Sequence, residues 1–200
     1  MRFLALGDSY TIGESVPPAD RWPVQLAAML CERGIAIGEP EIIATTGWTT
    51  GELAEGIRRA APRGPYDLVS LLIGVNNQYR GRPLEEYRRQ FLKLLEQAIC
   101  FAGGEPGRVL VLSIPDWGVT PFGENRDRAA ITREINIFNT ANHDGATRAG
   151  ARYVDVTPAS RMAAYDRGLV ASDGLHPSGA MYRRWAELAL PAALAALGRE

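Results

Sequence analysis

Five short, largely apolar runs, separated by longer stretches of helical periodicity, limit what this 200-residue chain can fold into. The runs fall at residues 3–6, 41–46, 68–73, 109–114 and 153–156. Between and after them, apolar residues recur at helical spacing over 22–33, 50–61, 84–102, 126–149 and 178–197. Strand alternating with helix predicts a parallel sheet with right-handed crossovers and helices on both faces, a three-layer α/β/α sandwich. Pro83 opens the third helix, Thr49 or Thr50 can cap the second, and Gly34 and Gly103-Gly104 act as stops. Residues 9–21 read as a polar, proline-bearing loop. With no repeat, low-complexity tract or linker, 1–200 reads as one domain.

Composition narrows the function. A formal net charge of −1 gives no basic footprint for nucleic acid, and no basic amphipathic helix points to a membrane surface. Lys93, the only lysine, lies in a helical stretch, which argues against a phosphate-loop or Schiff-base lysine. The N-terminus lacks the charged start, long apolar core and small-residue site of a signal peptide, so a cytoplasmic location is expected. Cys31 and Cys100 stand among apolar neighbours in helical patterns and are expected to be buried free thiols.

Reactive residue types gather where strands end, the edge at which open α/β sheets build their sites. Ser9 follows the first run in Gly7-Asp8-Ser9-Tyr10, Gly47 follows the second, and Gly74-Val75-Asn76-Asn77 follows the third. Near the C-terminus stands Ser172-Asp173-Gly174-Leu175-His176-Pro177. A serine must pass its proton to a base as it attacks a carbonyl, and the chain offers only His143 and His176. His143 lies in a helical stretch and reads as structural, whereas His176 lies in a loop beside an acid. Asp173 can orient that imidazole, though Asp8, Asp116 and Asp155 also lie near strand ends.

Three donors are available to a developing oxyanion: the Ser9 and Gly47 backbone amides and the Asn76 side chain. Gly47 can equally serve a positive-φ turn. Trp48, Tyr79, Trp117 and Phe122 fall in loops after strands, where each can line an acyl or leaving-group pocket or equally be a core or surface aromatic. Arg80 and Arg82 share one of these loops and read as solvated charge or as contacts for an anionic substrate.

In order and content these blocks resemble the SGNH hydrolases, the GDSL esterases and lipases, whose Ser, Gly, Asn and His match Ser9, Gly47, Asn76 and His176. The resemblance covers nearly the whole chain, from residue 7 to residue 176. It implies a five-stranded sheet of order 2-1-3-4-5, Asp173 as the acid partnering His176, and a metal-free, cofactor-free serine esterase acting on a small-molecule ester. Short-chain or acetylated-sugar substrates fit this reading, with thioesters on the same machinery. Two positions depart from the family pattern: Gly-Asp-Ser-Tyr replaces Gly-Asp-Ser-Leu, and Gly-Val-Asn-Asn replaces Gly-x-Asn-Asp.

Two other functional classes compete. A flavodoxin-like module could hold phosphate or flavin at residues 7–13, but that turn lacks Gly-x-Gly-x-x-Gly, and Asp8 would repel an anion. A hydrolase-shaped carbohydrate binder without turnover is the other reading, against which stands the full set of reacting residues.

Overall fold

The apolar runs need both faces covered, and the computed structural model, which describes residues 1–199, covers them. In chain order the strands are β1 (Phe3–Gly7), β2 (Glu41–Ala44), β3 (Leu68–Leu72), β4 (Val109–Leu112) and β5 (Arg152–Val154). All pairings are parallel and the sheet order is β2-β1-β3-β4-β5, the order that the resemblance implies. Every residue of β1, β3 and β4 is buried, as fits strands with a helical layer on each side.

The helices are α1 (Ser9–Ile12), α2 (Trp22–Glu32), α3 (Thr50–Ala60), α4 (Val75–Tyr79), α5 (Leu84–Phe101), α6 (Arg128–Ala149), α7 (Thr157–Ser160) and α8 (Gly179–Ala196). One layer is the α2–α8 pair, and the other is the series α3, α5 and α6. Local chemistry sets where several of them start. Thr49 and Glu52 form a reciprocal capping box on α3, while Asp127 and Ser178 cap α6 and α8. No helix of the described residues is long and apolar enough to cross a membrane.

Strand register brings the reactive segments together. Gly7 lies level with Ala44 on one side and Leu72 on the other, so the loops leaving β1, β2 and β3 emerge at one edge. Gly7 is also a point of close approach. A Cβ there would stand 2.1 Å from Thr11 Oγ1 and 2.5 Å from the Leu72 carbonyl oxygen, so only glycine lets α1 fold back over the strand ends.

Three expectations are corrected. Residues 9–12 form α1 rather than loop, because the Asp8 side chain accepts from Tyr10 N and supplies the cap. Tyr79 lies on α4, the helix that also carries Asn76, rather than in a loop. Cys31 and Cys100 are exposed, since both fall beside the apolar stripes of α2 and α5 rather than within them.

Candidate active site

Ser9 opens α1 directly after β1, and His176 sits in the segment leading to α8. They are only 5% and 7% exposed, so reagents reach them through the cavity that both line. That cavity, about 170 Å³, is also bordered by Thr46, Gly47, Asn76, Tyr79, Trp117 and Phe122. Parts of the chain more than 160 residues apart thus share one small volume.

The imidazole is held on two sides. Its Nδ1 lies 2.6 Å from Asp173 Oδ2, while Tyr10 packs at 5.5 Å between ring centroids, which gives the tyrosine after Ser9 a packing role. With Nδ1 engaged by the carboxylate, Nε2 is left to exchange a proton. Asp173 Oδ1 accepts from the Leu175 and His176 amides at 2.9 and 3.0 Å, and Oδ2 also accepts from Ser15 Oγ at 2.7 Å. Burial acts to raise the Asp173 pKa, but the bonds from His176, Leu175 and Ser15 outweigh it and hold the carboxyl down at about 2. The acid is therefore charged throughout the working range.

The other acids are committed elsewhere. Asp116 is buried against Arg161 Nε at 3.0 Å and Thr132 Oγ1 at 2.7 Å, and Asp155 accepts from Ser113 and Thr157. His143 is exposed and packs edge-on against Tyr153.

Asp8 is fully buried with Oδ2 unpartnered, and loss of hydration pushes its pKa up to about 7 against the pull of the Tyr10 amide. A carboxyl whose folded pKa is raised binds its proton more tightly in the fold, so stability is lost as pH rises from about 4 toward 7. The wild type is expected to lose up to about 4 kcal/mol across that window from this group. Asp8→Asn keeps the cap acceptor and should flatten that part of the profile in denaturant titrations. An unchanged slope would show that the Asp8 carboxyl is already charged at low pH.

Helix α4 and Arg80, the residue that follows it, grip the Gly47 loop at two carbonyls. Asn76 Nδ2 donates to the Trp48 oxygen at 2.9 Å and Arg80 Nη2 donates to the Gly47 oxygen at 2.6 Å. Arg80 is fixed in turn by Glu52 at 3.2 Å, and Glu52 accepts from Thr49 N at 2.7 Å. Gly47 has φ +84°, and a Cβ there would meet only Arg80 Nη2, at an ordinary contact distance of 3.5 Å, so conformation rather than room requires glycine there. Asn77 joins the same loop to α4, accepting from Thr50 N at 3.0 Å and donating to Thr50 Oγ1 at 2.8 Å. That neutral pair gives the departure from Gly-x-Asn-Asp a structural task.

Of the aromatic candidates, Tyr79, Trp117 and Phe122 line the cavity, with Trp117 anchored through Nε1 to Gln78 Oε1 at 2.8 Å. Trp48 does not. Its ring lies on Gly56 of α3, where a Cβ would come within 2.2 Å of the indole. The small residue in mid-helix is the sequence signal for that packing. Sequence reasoning missed Ser15, which touches the Asp173 carboxylate from 158 residues away. It also left open the role of Arg80, which serves the Gly47 loop rather than solvent alone.

No curated relative matches the sequence. Among solved structures, TesA superposes with a TM-score of 0.75 at 18% identity, covering 98% of this chain and 100% of its own. The psychrotrophic esterase EstA from Pseudoalteromonas sp. gives a TM-score of 0.74 at 15% identity over 99% of both chains. Axe2, an acetylxylan esterase from Geobacillus stearothermophilus, gives 0.71 at 18%, covering 100% of this chain and 94% of its own. These likenesses concern the fold. The model of the GDSL-like lipase/acylhydrolase family matches residues 5–184, nine-tenths of the sequence, and the chain belongs to that family.

Proposed function

We propose that the protein is a serine esterase that cleaves small carboxylic esters through an acyl-enzyme on Ser9. The observation that carries this reading is the single cavity that exposes Ser9, His176, Gly47 and Asn76 together while Asp173 holds His176 Nδ1. In the forward step Ser9 Oγ bonds the carbonyl carbon and His176 Nε2 takes its proton. The oxygen then bears the negative charge and is met by the Ser9 and Gly47 amides and by Asn76 Nδ2. As the C–O bond to the alcohol breaks, His176 returns the proton to the leaving oxygen. Water then attacks the acyl group with the same base, releasing the acid and restoring Ser9.

Cavity size argues the substrate class. About 170 Å³ admits on the order of ten non-hydrogen atoms, enough for a short acyl group and part of its alcohol. Turnover of p-nitrophenyl esters is expected to peak between acetate and butyrate and to fall by at least about tenfold at dodecanoate. Rates that rise toward dodecanoate would reverse the size argument. Absence of turnover on any ester, with Ser9→Ala as the blank, would overturn the esterase reading.

A second reading, an O-deacetylase of carbohydrates, rests on the rim of the cavity. Tyr79 and Phe122 are 46% and 41% exposed there, and such faces can stack on the C–H face of a sugar ring. The similarity to an acetylxylan esterase points the same way. Acetate release from acetylated xylo-oligosaccharides, set against p-nitrophenyl acetate, separates the two.

A further inference from the structure

Among the described residues, Ser15 is the one outside the four family blocks whose side chain bonds the carboxylate that serves His176. Its Oγ donates to Asp173 Oδ2 at 2.7 Å, and that same oxygen faces His176 Nδ1 at 2.6 Å. The other carboxylate oxygen is already held by two backbone amides. Ser15 is therefore not needed to choose the Asp173 rotamer; its hydroxyl acts on the oxygen that partners the histidine.

The backbone supplies a second, independent observation. Ser15 has φ +64°, a left-handed conformation that costs a residue with a side chain on the order of 1 kcal/mol and that glycine adopts freely. Only Ser15 and Ala61 among the described non-glycine residues have positive φ. A strained serine whose hydroxyl ends on the catalytic acid is a pattern in which conformation is held for the sake of a contact. Its neighbour Glu14 accepts a hydrogen bond from Thr46 Oγ1, next to Gly47. One two-residue segment thus touches the acid on one side and the oxyanion loop on the other.

We propose that Ser15 is a positioning residue for the esterase: it shares Asp173 Oδ2 with His176, fixing the acid's distance to Nδ1 and moderating its negative charge. This inference rests on the serine-esterase reading above. Without the hydroxyl, the Oδ2 charge falls wholly on Nδ1–H. The imidazolium is then favoured, and the acidic limb of the kcat/KM profile moves to higher pH. The other groups facing His176 are Tyr10 from α1 and Asp116 from the loop after β4, across a small cavity lined by all three. Asp116 is paired with Arg161, and neither group is altered by changes at Ser15.

The test separates strain from chemistry. Ser15→Gly removes both the hydroxyl and the backbone strain, whereas Ser15→Thr keeps a hydroxyl and adds a β-branch at a positive φ. Melting temperature and the pH profile of short-chain ester hydrolysis are measured for both, with wild type and Ser9→Ala alongside. Ser15→Gly is expected to melt no lower than wild type yet to lose about tenfold in kcat, with KM changed less than twofold and the acidic limb displaced upward. Ser15→Thr is expected to melt lower yet to keep kcat within about threefold of wild type. If Ser15→Gly matches the wild type in kcat and pH limb, the positioning role is wrong while the esterase stands. If wild type and Ser9→Ala are equally inert, the esterase reading falls and the role of Ser15 falls with it.

Discussion

Ser9→Ala is expected to lower kcat by roughly 10,000- to 1,000,000-fold on the best short-chain ester, with KM little changed. The residual rate is what bound substrate and oxyanion donors achieve with water as nucleophile. Folding should survive, since alanine favours the helix that Ser9 begins. His176→Ala should cost nearly as much, because a serine hydroxyl without a base attacks slowly. The informative measurement is the double variant. Residues that act as one unit give a double loss close to the larger single loss, rather than the product of the two. Multiplicative losses would mean that Ser9 and His176 serve separate steps, and the acyl-enzyme route would need replacing.

Asn76→Ala is expected to lower kcat about 100- to 1,000-fold, the range for removal of one oxyanion donor. KM should hold, because a neutral ester carbonyl gains far less from that donor than the tetrahedral oxygen does. Part of the loss is indirect, since one Nδ2 hydrogen holds the Trp48 carbonyl and the loop carrying Gly47 depends on it. Asn76→Asp separates the contributions: it preserves shape but directs a carboxylate at developing negative charge, so it should be at least as slow as alanine near pH 7. A carboxylate variant faster than alanine would place the oxyanion away from residue 76.

Much of this site could be read from residue order. The apolar runs were legible because strands buried on both faces leave no room for polar alternation, as Leu68 to Leu72 illustrates with a single buried serine. The turn ends were legible because glycine marks backbone that other residues resist, as at Gly7 and Gly47. Short helices were not. Four or five residues cannot repeat an apolar stripe, so α1 and α4 gave no periodic signal, and only Asp8 as a cap hinted at the first. Cys31 and Cys100 misled for a related reason. Each follows a buried stripe closely in sequence, yet a step of about 100° per residue carries it to the solvent side. Trp48 misled because an indole is long enough to fold back onto the next helix, where Gly56 makes room. Contacts such as Ser15 with Asp173 join distant segments through side chains alone, and nothing local encodes them.

The grip of α4 and Arg80 on two neighbouring carbonyls bears on how the site fails. The Gly47 amide and the Asn76 side chain come from different crossovers of the sheet, and separate loops ordinarily fluctuate on their own. Here Asn76 on α4 and Arg80 just past its end both bind the backbone that carries the Gly47 amide. An excursion wide enough to release one donor is expected to drag the other out of line. The two proposed oxyanion donors are therefore expected to act as a latch with two positions, engaged or sprung, so that heating or denaturant should reduce the fraction of competent molecules before it weakens the chemistry within each one.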